Sequence, residues 1–287
     1  MTYTDTSPTR GGAHPTHLRE TAVPTFDTPE PITADITMVA GTLQIFAGDR
    51  TETTVEIRPR VEDRDSDVRA AELVEVDYAN DRLEVRDPQP SGLGRMIGRK
   101  GMVDITVELP AGSRVHASGG FGNIRCEGSL GTSELSLTNG NVTVGRIAGN
   151  TELTTGHGSV RVAEIDGSAM VRSTSGTITL GEVTGELRAN SAHSDVIVDR
   201  ALGSVTARTT HGSVRLGQVV EGSVNVETSY GELEIGVRAG TAAWLDAVST
   251  KGVVRSSLEA ADGPAPTEQT VEVRARSVWG DILLHRS

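Results

Sequence analysis

Three histidines, His157, His193 and His211, fall one residue before a repeated turn position, and each lies a multiple of 18 residues from the next. Imidazoles on neighbouring coils could meet a metal ion, His193 and His211 most directly. A structural zinc site closes a tetrahedron of four nitrogen or sulfur ligands, and no cysteine or suitably spaced aspartate completes one here. The expectation is therefore turn histidines facing solvent, with no metal. A second column consists of hydroxyls: Thr155, Ser173, Ser191, Thr209 and Thr228. As nucleophiles they would need a general base in register, and no His or Lys is so placed. They read instead as a ladder of side-chain hydrogen bonds inside a corner, because buried polar groups are normally paired. Glycoside chemistry would require paired carboxylates flanking a groove. Glu127, Glu134, Glu152, Glu164, Asp166, Glu182, Glu186, Asp195 and Asp199 are instead scattered over outward columns. They alternate with Arg161, Arg172, Arg188, Arg208 and Arg215, the pattern of cross-strand charge pairing. No HExxH, GxSxG, CxxC or dinucleotide fingerprint occurs, so no catalytic, cofactor or metal residue is assigned.

The elements that must carry these columns repeat with them. Aligned on a turn glycine, the copies read FGNIRC, NGNVTV, HGSVRV, SGTITL, HSDVIV, HGSVRL and YGELEI, anchored at Gly122, Gly140, Gly158, Gly176, Ser194, Gly212 and Gly231. The spacing is 18 residues five times and then 19. A second glycine column, Gly131, Gly149, Gly167, Gly185, Gly203 and Gly222, runs in phase. A short fixed period marks a solenoid. After each turn, apolar residues alternate, as in Val142 and Val144, Val160 and Val162, Ile178 and Leu180, Val214 and Leu216. That is a strand with one face to a core. A single coil buries too little to stand alone, so stacking at about 4.8 Å supplies the core.

The composition fits a thin aliphatic core: 36% hydrophobic but 3% aromatic residues, with 33 glycines. A net charge of −12 and a pI near 5.1 carry no nucleic-acid footprint. The single cysteine, Cys126, aligns with Val144 and Val162 and reads as a small buried hydrophobe. No stretch of apolar residues is long enough to span a membrane as a helix, and the N-terminus lacks the pattern of a signal peptide. The expected compartment is the cytoplasm.

Along the chain, residues 1–25 are polar and aperiodic and read as a disordered tail. Residues 26–116 read as an irregular N-terminal β cap with the first coils. Strands are expected at Ile32–Val39, Thr42–Phe46, Thr53–Arg60, Leu73–Tyr78, Arg82–Arg86 and Val103–Leu109, and turn motifs at Gly41 and, loosely, at Asn80–Asp81. The loop SGLGRMIGRKG at 91–101 mixes Arg95, Arg99 and Lys100 with Met96 and Ile97. Its spacing is wrong for a phosphate loop. A surface hairpin loop is expected, with weak contact to an anionic surface as the functional option. Residues 117–287 read as the β-solenoid proper, interrupted by insertions near 238–247 and 259–270.

The opening FDTPEPITADITMVAGTLQIFAGDR, the step VDITVELPAGSRV, the NGNV, HGSV and SGTI repeats and the ending TVEVRARSVWGDILLHRS together resemble the actinobacterial DUF4097 β-strand-repeat proteins. These are also called adhesins, and the domain is known as toastrack. The likeness spans about residues 26–286. It implies an all-β solenoid of right-handed coils, without an established catalytic site, in a cell-envelope stress context. On this reading the chain is a non-enzymatic scaffold or sensor module. It binds a protein partner, or itself, through the C-terminal edge ending in Asp281, Ile282, Leu283 and Leu284, unless the segment with Trp244 and Leu245 folds over that edge. An exported adhesin or carbohydrate-binding protein is the alternative, and a polysaccharide-lyase-like enzyme stands behind it.

Overall fold

The computed structural model describes residues 23–88, 101–258 and 269–287. Residues 1–22 of the tail expected at 1–25, nearly all of the basic loop and the segment 259–268 lie outside them, while Thr25 is held in the first strand and corrects the tail's end. In chain order the N-terminal part holds β1 (Thr25–Asp27), β2 (Thr33–Gly48), β3 (Glu52–Pro59), α1 (Asp65–Leu73), β4 (Glu75–Ala79), β5 (Arg82–Arg86), β6 (Val103–Pro110) and β7 (Arg114–Leu130). The repeats supply β8 (Ser133–Asn139), β9 (Val142–Ile147), β10 (Thr151–His157), β11 (Val160–Ile165), β12 (Ala169–Val183), β13 (Leu187–Ala201), β14 (Val205–His211), β15 (Val214–Val219), β16 (Gly222–Tyr230) and β17 (Leu233–Val237). The last part holds β18 (Thr241–Ser249), β19 (Val254–Ser256), β20 (Gln269–Trp279) and β21 (Ile282–Arg286).

The architecture is a β-solenoid. Each coil runs over two faces, as two strands or, in β2, β7, β12 and β13, as one long strand that turns the corner, and the repeat coils stack in parallel with residue i opposite i+18. On one face Leu135, Leu153 and Val171 are register partners. On the other, Cys126, Val144, Val162 and Leu180 are. The alternating aliphatics all point inward and are fully buried, forming one core along the stack. The 19-residue coil is absorbed by a register shift between Leu216 and Val219, with Val220 buried at the corner before Gly222. Cys126 sits in this core, and burial pushes its thiol up to about 12. It is a packing residue, as its alignment with valines implies.

The turn glycine has a steric cause. Gly158 adopts φ +140°, and a Cβ there would lie 2.0 Å from the carbonyl oxygen of Gly140 on the preceding coil. No L side chain fits that approach.

Both ends depart from the simple order of the chain. At the N-terminal end β2 is an inner coil. Its first half pairs with β5 and β7, and its second half with β6 and β7, all in parallel. The antiparallel strands β4, β3 and β1 then lie outside β5 and β6. Asn80 and Asp81, both at positive φ, make the tight turn between β4 and β5, so that position is a hairpin rather than a coil corner. The strand expected at Leu73–Tyr78 is present from Glu75 as β4, while Leu73 ends the helix α1, which the sequence reading does not contain. Its alanines and acidic first turn, Asp65 and Asp67, favour helix there. The buried Asp87 finishes the cap: its Oδ2 accepts the backbone N–H of Val39 at 2.7 Å, at the corner of β2.

At the C-terminal end the strand order is β16, β20, β18 on one face and β17, β21, β19 on the other. The segment near 238–247 is therefore no insertion. It opens a complete coil, the outermost one, and the chain then returns to lay β20 and β21 beneath it. The expected exposed edge at Asp281–Leu284 is corrected by the same pairing: β21 has β17 on one side and β19 on the other. Trp244 and Leu245 lie in β18, which covers β20 on the other face, so the strand laid over β21 is β19.

Candidate binding surface

The residue before each turn glycine projects from one corner of the solenoid, so the register stacks these side chains in a line. His193 lies on His211 with ring centroids 5.0 Å apart, and His211 lies on Tyr230 at 4.8 Å. Tyr230 faces Trp279 at 6.4 Å, and all three pairs have ring planes within 7° of parallel. The Lys251 ammonium is 5.9 Å from the Trp279 centroid. Because β20 lies inside β18, Trp279 precedes Lys251 in space although it follows it in sequence. In the sequence Tyr230, Lys251 and Trp279 each precede a glycine, Gly231, Gly252 and Gly280, as His211 precedes Gly212, but only the pairing fixes their order. His157 stands apart, its Nδ1 at 2.6 Å from the Ser175 hydroxyl. Among the described residues no three His, Cys, Asp or Glu side chains converge in a way that would hold a metal ion.

The stack has a chemical consequence. Rings that recognise sugars or bases offer a free face, yet here both faces of His211 and of Tyr230 are taken by their neighbours. Tyr230 and Trp279 remain half exposed. The column thus presents ring edges to solvent and acts as a cohesive spine between coils.

The hydroxyl column lies just inside the same corner. It does not form the side-chain ladder expected of it. Thr155, Thr209 and Thr228 donate to the carbonyl oxygens of Gly140, Ser194 and Gly212, one coil earlier, at 3.3, 3.1 and 2.9 Å. These acceptors belong to the turn residues of the preceding coil. Among the described residues one side-chain link occurs in this column, from Ser194 to Ser173 at 3.2 Å, and the Ser191 hydroxyl has no partner.

The broad faces are covered with opposite charges. Arg146 meets Glu164 at 3.1 Å, Arg200 meets Glu182 at 3.2 Å, and Arg215 meets Glu234 at 2.7 Å, each across adjacent coils. Arg172 pairs with Glu152. Other pairs run along one strand, as Arg125–Glu127 and Arg188–Glu186, both at 2.8 Å. A shallow groove of about 420 Å³ crosses one such face, lined by His116, Glu134, Glu152, Met170, Glu186 and Arg188 among others. Two of its carboxylates are already engaged by arginines, and it holds no orienting pair of the kind glycoside hydrolysis uses.

The end of the stack differs from its sides. Trp244, at 58% exposure, Val248, Val253, Val254, Val278 and Trp279 are exposed within the last two coils, and Leu283 lies near them. Ala243, Leu245 and Ala247 occupy the core-facing positions of β18 but are only half buried. Their register partners one coil inward, Val271, Val273 and Ala275, are completely buried. The apolar core therefore reaches the surface at this end. Sequence periodicity missed it, because the outermost coil has its own turn glycine, Gly252, and its place beyond β20 and β21 follows only from the strand pairing.

Among solved structures, a candidate adhesin from Bacteroides fragilis is similar at 14% identity and a TM-score of 0.45, covering 91% of this chain and 95% of that one. A candidate lipid-binding protein from Parabacteroides distasonis gives 14% and 0.42, covering 92% and 96%. Likeness of that degree says nothing of ligand or partner. No curated protein matches the sequence. The family model described as Toastrack DUF4097 matches residues 35–284. Across nearly all of its described β-structure, then, this chain belongs to the Toastrack DUF4097 family.

Proposed function

We propose that the protein is a non-enzymatic scaffold or sensor module that binds another polypeptide through the C-terminal end of its solenoid. One observation carries the reading: apolar side chains are exposed at that end, while the broad faces are occupied by arginine–carboxylate pairs. Contiguous apolar surface on a folded chain marks an interaction site. Beside it lies a strand edge, β18, that is unpaired among the described residues, which favours an extended segment added as a further strand. The cytoplasm and a cell-envelope stress context are parts of this proposal that rest on the family resemblance and the sequence. The carbohydrate-binding alternative is weakened by the ring column, whose inner faces are not free to stack on sugars.

The test places a photo-reactive residue at Trp244 and, as a control, at Arg161 on a broad face. Irradiation in cells should yield polypeptide adducts at the first position and none at the second. Adducts at Arg161 alone, or at neither, overturn the reading. Fractionation checks the compartment, and recovery of the protein outside the cytoplasmic membrane would favour the adhesin alternative.

A further inference from the structure

Resting on the reading of the C-terminal end as the contact surface, we infer that its occupant is a second copy of this chain. The two copies join through β18 in an antiparallel register centred on Leu245. β18 pairs with β20 over nine consecutive residues, Thr241 to Ser249, and among the described residues no strand pairs with its other side. Natural edges are blunted by lysine, proline, bulges or brevity. β18 has none of these devices. Its single charge, Asp246, is engaged by Arg276 of the adjacent strand. Its core-facing Ala243, Leu245 and Ala247 are half buried, and one more strand would complete their enclosure.

The order of residues says which strand fits. A two-fold axis reverses a strand about a point, and the midpoint of Thr241–Ser249 is Leu245. Pairing about that point uses every residue of β18. It sets Leu245 against Leu245 of the second copy and Ala243 against Ala247, all on the core side. On the outer side it sets Ala242 against Val248 and Trp244 against Asp246. No like charges oppose one another. Centring on Asp246 instead would bring two carboxylates together.

The opposite end of the molecule makes a poor partner for β18. There β4 has five residues and exposes Glu75 and Asp77. Stacking that end onto β18 would also be heterologous and build an open filament, whereas the β18 contact closes on itself.

The test uses the full chain. Sedimentation across a concentration series should reveal a particle of twice the 30.2 kDa chain mass. Ala242→Glu combined with Val248→Glu opposes carboxylates at both ends of the proposed register and should abolish the dimer. Ala242→Lys combined with Val248→Glu opposes unlike charges at the same places and should restore it. Circular dichroism melts that match the unchanged protein show that both variants fold. A dimer indifferent to these pairs overturns the register. A chain that stays monomeric throughout overturns the second copy. If that monomer still forms adducts with other polypeptides at Trp244, the contact end stands and only its occupant is wrong.

Discussion

At the scale of single residues, the coil is governed by backbone approaches that leave no room for a side chain. Gly158→Val would set a β-branched residue at positive φ, against the Gly140 carbonyl, and should cost about 1–3 kcal/mol or more, read from denaturant midpoints. Val160→Asp should be worse, because it strands a carboxylate in a core with no partner. An unchanged melt for Val160→Asp would mean that the inward face is misassigned. Asp87 offers a pH signature. Burial raises its pKa above the ordinary carboxylate value, against the lowering effect of the Val39 and Ala40 backbone N–H groups. A raised folded pKa gives stability that is present below the unfolded value and lost as pH rises through the folded one. Melting temperature followed upward through the carboxylate range should fall in the wild type relative to Asp87→Asn, whose side chain does not titrate. Asp281 runs the other way. The Val253 backbone N–H, and then Arg255, hold its carboxyl below the usual range. Its contribution is present above the unfolded value and fades as pH drops through the folded one.

At the scale of the coil, cohesion comes from columns. Thr209→Val keeps the shape but leaves the Ser194 carbonyl without its donor, and should cost about 1 kcal/mol in chemical denaturation. Arg172→Ala breaks only an exposed ion pair and should change stability by less than about 1 kcal/mol, with the difference shrinking in salt. Equal effects for the two would remove the distinction drawn between corner and face. The coil was legible in the sequence because its period fixes nearly everything: the turn glycines, the inward valines and Cys126 stand where the alternation puts them. What the period could not show was direction and order. The hydroxyl column was visible, but its acceptors are carbonyls, which have no sequence signature. α1 was hidden among short strands because nine residues are too few to establish a helical period against β-rich flanks. The exchange of order between Trp279 and Lys251 was beyond reach, since strand pairing between distant segments leaves no local mark.

At the scale of the whole molecule, the two ends are laid down out of sequence order. β2 is enclosed by β5, β6 and β7, and the final strands β20 and β21 lie beneath the coil that precedes them. A chain ending after Gly240 would still present β16 and β17 as a finished coil, whereas one ending after Leu258 would leave β18 and β19 without a bed. The longer truncation product should therefore melt less cooperatively than the shorter one, as read by calorimetry. The same arrangement governs how such a protein can change its length. An 18-residue unit such as Ala169–Glu186 pairs in the same register with the coils above and below, so duplicating it should lengthen the stack by one strand spacing, about 4.8 Å, without disturbing either end. Duplicating the last unit would place two copies in competition for one slot between β17 and β19. Growth and loss of coils are thereby confined to the middle of the chain, and the two ends are inherited as fixed fittings.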